Sequence, residues 1–138
     1  MAEGGTAGGE IGFVGIGNMG APMVRCLAKA GFKVRLYDAR AEVTTPFAKE
    51  GGPYTVAASL SELGACDVVV TMLPDSKVVG AVVLGPDGQS GLAGVLERGS
   101  VIVDMSSSFP LETVKLGAAL AERGIGLVDA PVSGGVPK

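Results

Sequence analysis

The chain has 138 residues, a formal net charge of −3 and 47% hydrophobic residues, with 23 glycines. That length suits one domain with a hydrophobic core. The slightly acidic balance gives no basic surface for nucleic acid, and no apolar run reaches the roughly 18 residues that a membrane span needs. We therefore expect neither nucleic acid nor a membrane among the partners of this chain.

Histidine and cysteine usage narrows the possible chemistry. The chain has no histidine and two cysteines, Cys26 and Cys66. The absence of histidine excludes Ser–His and Cys–His nucleophilic pairs, histidine metal sites and an imidazole acid–base group. The N-terminus lacks a secretory signal, so we predict a cytoplasmic location, two reduced and mostly buried thiols, and no metal site.

Short apolar segments alternate with helical segments along the chain. Residues 1–10 lack apolar periodicity and are predicted to form a flexible tail. The predicted strands cover residues 11–16, 33–37, 54–57, 68–72, 101–103 and 126–129. The predicted helices cover residues 19–30, 43–50, 76–84, 92–96 and 110–123, with a further helix starting near Ser59. This alternation predicts an α/β fold of the Rossmann type, a doubly wound, mainly parallel sheet between two helical layers.

Two of these helices carry capping signals. Ser59 and Glu62 have the spacing of a capping box, in which each side chain bonds the backbone of the other residue. Asp75 or Ser76 is expected to cap the helix that ends near residue 84.

The first strand runs directly into a G-x-G-x-x-G motif formed by Gly15, Gly17 and Gly20. The first glycine allows a tight turn, the second lets the backbone approach a diphosphate, and the third lets the helix pack closely. The start of the helix adds N–H groups and the positive end of its dipole. The motif predicts dinucleotide binding, although FAD or S-adenosylmethionine could use the same loop. The small following loops favour a nicotinamide cofactor.

An acidic residue follows at the distance that a dinucleotide site requires. Asp38 ends the second strand, 21 residues after Gly17 (38 − 17 = 21), where a carboxylate can accept bonds from a ribose 2′-OH. It favours NAD over NADP, because it would repel a 2′-phosphate. Arg40 is either a solvated surface charge or the partner of such a phosphate, so NADP stays open.

Three further loops follow predicted strands, and ligands of such sheets bind beyond the carboxyl ends of the strands. Leu73-Pro74 follows the fourth strand, a serine run at 106–108 follows the fifth, and Ser133-Gly134-Gly135 follows the sixth. The serines could equally cap the next helix. The Ser-Gly-Gly segment is either an ordinary turn or a cradle for a carboxylate.

Taken together, these segments resemble the β-hydroxyacid dehydrogenase family, which includes 3-hydroxyisobutyrate dehydrogenase, tartronate semialdehyde reductase and the glyoxylate/succinic semialdehyde reductases. The resemblance rests on G-F-V-G-I-G-N-M-G-A-P-M at 12–23, M-L-P at 72–74, D-M-S-S-S-F-P at 104–110 and D-A-P-V-S-G-G at 129–135. Met19 and Met23 make the first motif more specific than its glycines alone. The match extends over nearly all of residues 11–138.

The resemblance implies an NAD- or NADP-dependent oxidoreductase that transfers hydride between nicotinamide and a small 3-hydroxy acid or semialdehyde. It places the substrate carboxylate at Ser133 and Gly134, with Gly135 in the same substrate-binding segment. Together with the spacing from Gly17 to Asp38, it predicts the cofactor contacts Gly15, Ile16, Gly17, Asn18, Met19, Gly20, Asp38, Ala39, Arg40, Leu73, Pro74 and Ser107. Val78 departs from the pattern, because some members have a cofactor-contacting asparagine there.

The family's proton-transferring lysine lies on a later helix in a G-x-x-x-K-x-x-N context. These 138 residues contain no such segment, and Lys138 stands in a different context. We therefore expect a cofactor-binding domain of a longer enzyme, inactive alone and without a catalytic residue of its own. Its Rossmann domain would span residues 11–132, and residues 133–138 would start the substrate loop.

The resemblance also bears on assembly. It implies a homodimer or homotetramer for the full-length protein, and we expect exposed apolar surface near the sixth strand and some self-association of this chain.

The alternative function is a non-catalytic dinucleotide-binding module that acts as a sensor or interaction domain.

Overall fold

The strands form one parallel sheet. The computed structural model describes residues 10–85, 91–106 and 109–131, and these ranges contain a six-stranded sheet. The strands are β1 Glu10–Val14, β2 Lys33–Tyr37, β3 Tyr54–Val56, β4 Val68–Thr71, β5 Val101–Asp104 and β6 Gly126–Asp129. Every neighbouring pair is parallel, in the order β3-β2-β1-β4-β5-β6. This is the Rossmann order, so the predicted fold class is confirmed.

Helical segments connect these strands. The α-helices in the described ranges are α1 Gly20–Lys29, α2 Ala41–Glu50, α3 Ser76–Val83, α4 Leu92–Val95 and α5 Pro110–Ala121, and a 3₁₀ helix covers Leu60–Leu63. The predicted cap of α3 is confirmed, because the Asp75 carboxylate accepts a hydrogen bond from the Val78 N–H at 3.0 Å. No helix in the described ranges is long and apolar enough to cross a lipid bilayer.

The sheet is buried on both faces at its centre. Phe13 of β1 packs with Leu36 and Val70 in an apolar cluster on the α1–α2 face. Its neighbour Val14 packs with Ile102 in a second cluster on the opposite face. Alternation along β1 therefore fills both layers, which explains why its sequence is continuously apolar.

The sheet order creates a crevice beside β1. From β1 the chain winds through β2 to β3 in one direction, and from β4 through β5 to β6 in the other. The loops after β1 and β4 consequently diverge, and the switch point between them is where sheets of this class bind ligands.

The predicted capping box near Ser59 is wrong. Ser59 makes no side-chain cap, and its hydroxyl pairs with that of Ser61 at 2.8 Å. The helix is a single 3₁₀ turn with Gly64 at its end. Gly64 lies tightly against α4, because a Cβ atom there would be 2.9 Å from the carbonyl oxygen of Val95.

Two other expectations need correction. Glu10, placed in the flexible tail, begins β1, and its carboxylate accepts bonds from the Arg35 guanidinium at 3.0 and 2.8 Å. Cys66 is buried as expected, but Cys26 is exposed because it faces away from the sheet on α1. The first nine residues lie outside the described ranges.

Candidate functional site

The turn between β1 and α1 has little room for side chains at its two outer glycines. Gly15 has φ +104°, and a Cβ atom there would overlap the carbonyl oxygen of Met72. A Cβ atom at Gly20 would overlap the carbonyl oxygen of Gly15 and lie 3.3 Å from the Phe13 ring. These two glycines thus permit the tight turn and the close helix packing that the motif predicts.

Gly17 has a different environment. A Cβ atom there would have one non-neighbouring atom within 4 Å, the Arg40 Nη2 at 3.9 Å. The space in front of Gly17 is therefore the open cleft. Gly17 also accepts the Ala21 N–H at 3.0 Å as α1 begins, and Met19 at the N-cap provides no side-chain cap. A bare backbone at a helix N-terminus suits a diphosphate.

Asp38 is bound more tightly to the protein than the sequence indicates. Its carboxylate accepts the backbone N–H of Ile16 at 2.8 Å and that of Arg40 at 2.9 Å. It also accepts the Arg40 guanidinium at 3.1 and 3.3 Å. Asp38 therefore fixes the glycine turn to the end of β2, a structural role that sequence reasoning missed.

The same contacts determine the charge of Asp38. Burial alone raises the pKa of Asp38, but the hydrogen bonds from Arg40 and from the Ile16 N–H outweigh it and hold that pKa below its ordinary value. The Asp38 side chain is only 8% exposed, whereas that of Arg40 is 58% exposed. Asp38 is thus a fixed negative charge, and Arg40 is a cation with room to move.

These elements enclose a cleft of about 490 Å³, a typical volume for a small-molecule site. The cleft brings together most of the predicted cofactor residues: Gly15, Gly17, Asn18, Met19, Gly20, Asp38, Ala39, Arg40, Leu73 and Pro74. Ile16 does not line it, because its side chain is buried in the core and only its N–H faces Asp38. Ser107, Ser133, Gly134 and Gly135 lie outside the described residues.

The cleft also has an apolar wall. Val78, at the position where some family members have an asparagine, lies one turn from Val82 on α3, and Val14, Tyr37 and Met72 complete this wall. Sequence reasoning missed Val82, and its helical spacing from Val78 is the signal that could have found it. A smaller cavity, of about 260 Å³, lies between α3 and α5 and contains none of the predicted site residues.

A buried polar network joins the ends of β4 and β5. Thr71 and Asp104 are paired in register, and the Thr71 hydroxyl donates to Asp104 Oδ1 at 2.9 Å. The same oxygen accepts the Ser106 N–H at 3.1 Å, and the Ser106 hydroxyl accepts the Leu73 N–H at 2.7 Å. Ser107, which the sequence singled out in this loop, lies outside the described residues, and its neighbour Ser106 bonds the cleft-lining Leu73.

The switch-point cleft, the bare glycine turn and the carboxylate at the end of β2 together define a Rossmann domain for dinucleotides. A family model described as the NAD binding domain of 6-phosphogluconate dehydrogenase matches residues 10–138. The chain therefore belongs to this family of NAD-binding domains.

Relatives of this chain are hydroxyacid dehydrogenases. The chain is 40% identical to 2-(hydroxymethyl)glutarate dehydrogenase of Eubacterium barkeri, over 91% of this chain and 40% of that protein. The structure of 3-hydroxyisobutyrate dehydrogenase of Mycobacterium tuberculosis with L-serine superposes with a TM-score of 0.82 at 32% identity, covering 93% of this chain and 42% of that one. Psf3 in complex with NADP⁺ and 2-OPP gives a TM-score of 0.81 at 30% identity, covering 91% and 43%. The chain thus spans about two fifths of the length of these relatives.

Proposed function

We propose that this chain is the cofactor domain of an NAD-dependent oxidoreductase of small 3-hydroxy acids or the corresponding semialdehydes. The observation that carries this proposal is the cleft in which open Gly17 and charged Asp38 lie together at the switch point. The relatives support the substrate class, since one is a 2-(hydroxymethyl)glutarate dehydrogenase and another a 3-hydroxyisobutyrate dehydrogenase.

Each part of the cleft has a chemical role in this proposal. The turn from Gly15 to Gly20 holds the diphosphate through backbone N–H groups. Asp38 and Ala39 face the adenosine ribose, while Leu73 and Pro74 bound the path toward the nicotinamide. The bound nicotinamide supplies hydride transfer. Ser107 is proposed on the nicotinamide side, with Ser133, Gly134 and Gly135 as the substrate carboxylate site.

The choice between NAD and NADP depends on two side chains. The low pKa of Asp38 keeps a negative charge where a 2′-phosphate would lie, so NAD is favoured. Arg40 now bonds Asp38, but its exposure would allow the guanidinium to turn toward a phosphate. We propose NAD as the main cofactor and NADP as a weaker one.

Titration of the 138-residue chain with NADH and NADPH, followed by nicotinamide fluorescence, tests the cofactor proposal. We expect saturable binding of NADH and weaker binding of NADPH. Replacing Asp38 by asparagine should narrow this difference, because the repulsion of the phosphate is removed. The same titration of a Glu122→Gln variant, which removes one negative charge just after α5 and outside the cleft, is the control for a general effect of charge. No NADH binding by a folded chain would refute the proposal.

Turnover tests the proposed reaction. We expect no oxidation of 3-hydroxyisobutyrate by this chain alone, because it lacks the G-x-x-x-K-x-x-N segment in which the resemblance places the proton-transferring lysine. A panel of 3-hydroxy acids and semialdehydes on the complete gene product, with NAD and NADP, would identify the substrate. Tight NAD binding without turnover of the whole panel would instead indicate a sensor module.

The proposals of a cytoplasmic location and of a dimeric or tetrameric full-length protein are tested by fractionation and by light scattering.

A further inference from the structure

Three polar side chains at the ends of β4 and β5 are almost completely shielded from solvent. Thr71 and Ser106 are 0% exposed and Asp104 is 1% exposed. Burial of polar groups opposes folding unless they are hydrogen-bonded, and a well-packed apolar set of similar shape would serve stability equally well. The network therefore calls for an explanation other than stability.

The bonds of this network converge on the loops that border the cleft. Asp104 Oδ1 accepts the Ser106 N–H and so orients that residue. Ser106 in turn accepts the Leu73 N–H at 2.7 Å, and Leu73 lines the cleft. The Met105 N–H also donates to the Thr71 carbonyl at 2.8 Å, which ties the two loops together. Hydrogen bonds among buried side chains reinforce one another and hold them in one arrangement.

The network lies at one particular end of the cleft. The glycine turn and Asp38 follow β1 and β2, whereas Leu73 and Ser106 follow β4 and β5. A dinucleotide that places its adenosine ribose at Asp38 and its diphosphate at the glycine turn must extend its other half over the ends of β4 and β5. The network therefore underlies the nicotinamide half of the cleft.

We propose that Asp104 is a positioning residue, which acts through Ser106 on the Leu73 backbone and so shapes the nicotinamide half of the cofactor site. This inference rests on the proposed function of the cleft as an NAD site. It assigns no proton transfer to Asp104. It predicts that a break in the network weakens ligands that contain nicotinamide and spares ligands that end at the diphosphate and its second ribose.

Paired titrations of the 138-residue chain with NADH and with ADP-ribose, by isothermal calorimetry, test this inference. Asp104→Ala and Ser106→Ala are each expected to lower the affinity for NADH about tenfold, which corresponds to the loss of roughly one buried hydrogen bond. ADP-ribose affinity should stay within about twofold, because the glycine turn and Asp38 are untouched. Asp104→Asn keeps an acceptor oxygen for both Thr71 and Ser106, so it should restore most of the NADH affinity.

Ser100→Ala is the matched control. Ser100 is another buried polar residue, 3% exposed, and it adjoins the opposite end of β5. Its variant should bind both ligands like the unchanged chain. If Asp104→Ala does not fold by circular dichroism, Ser106→Ala and Asp104→Asn carry the same comparison.

The outcomes separate this inference from the proposed function. Selective loss of NADH affinity in Ser106→Ala, with rescue in Asp104→Asn, supports the positioning role. Equal weakening of both ligands, or no weakening, overturns that role while the cleft remains an NAD site. Failure of the unchanged, folded chain to bind either ligand overturns the proposed function and this inference with it.

Discussion

Replacement of Gly17 by alanine should separate cofactor binding from folding. A methyl group at this position would project into the open cleft. Apart from the residues next to it in sequence, the atom within 4 Å of this methyl group is Arg40 Nη2, at 3.9 Å. Gly17 is not among the glycines with positive φ, so alanine can adopt its backbone conformation. We expect the free energy of unfolding to change by less than about 0.5 kcal/mol.

The effect on binding should be much larger. The methyl group would push a diphosphate away from the N–H groups of the turn. A hydrogen bond to a charged group contributes about 1.5–3 kcal/mol, so the loss of one should weaken NADH about 10- to 150-fold. Urea unfolding followed by circular dichroism gives the stability, and NADH fluorescence gives the affinity.

Gly31→Ala is the control with the opposite outcome. Gly31 has φ +100° just after α1, and a Cβ atom there would have no neighbour within 4 Å. Left-handed strain should lower its stability by about 1–2 kcal/mol, while NADH affinity stays unchanged. Undiminished NADH binding by Gly17→Ala would refute the placement of the diphosphate, and destabilisation above about 2 kcal/mol would refute the open geometry.

Three further predictions concern charge, thiols and assembly. The pKa of Asp38 lies below its ordinary value, so its contribution to stability is complete above about pH 4 and is lost as the pH falls through the lowered pKa. In urea unfolding between pH 2 and pH 7, the free energy of unfolding of Asp38→Asn should therefore fall less at acid pH than that of the unchanged chain. The same fall in both proteins would contradict the bonding of Asp38. Burial raises the pKa of the Cys66 thiol to about 11, whereas Cys26 is exposed. At pH 8 a disulfide reagent should therefore modify Cys26 quickly and Cys66 only on unfolding. Equal rates of modification by mass spectrometry would refute the burial of Cys66. The side chains of Leu111 and Val114 on α5 are exposed, so light scattering should show self-association that a Leu111→Glu/Val114→Lys double variant reduces; a monomer at high concentration would show that this surface drives no assembly.

The fold could be predicted because its signals are local. Apolar runs bounded by glycine and proline located the strands, and β2 and β6 have the predicted bounds. The spacing from Gly17 to Asp38 specifies how far apart two strand ends lie in sequence, and the parallel pairing of β1 with β2 then brings them together. Local pattern and topology agree here.

The contacts that the sequence did not reveal join residues far apart in the chain. The Leu73 N–H bonds the Ser106 hydroxyl across 33 residues, and no local pattern reveals that bond. Ile16 and Asp38 are joined across 22 residues by a backbone donor, which carries no side-chain signature. The 3₁₀ helix ends where Gly64 meets α4, a contact that no local pattern encodes.

The bond between the Ile16 N–H and Asp38 has a consequence for the redesign of this site. Asp38, which we propose selects the ribose, also bonds the turn that we propose holds the diphosphate. Exchange of Asp38 for a residue without an acceptor oxygen, such as alanine or arginine, would remove this bond and loosen the glycine turn. A redesign should therefore keep the hydrogen bond from the Ile16 N–H and vary Ala39 and Arg40 first. Asp38 should be replaced only by a side chain that still accepts this bond.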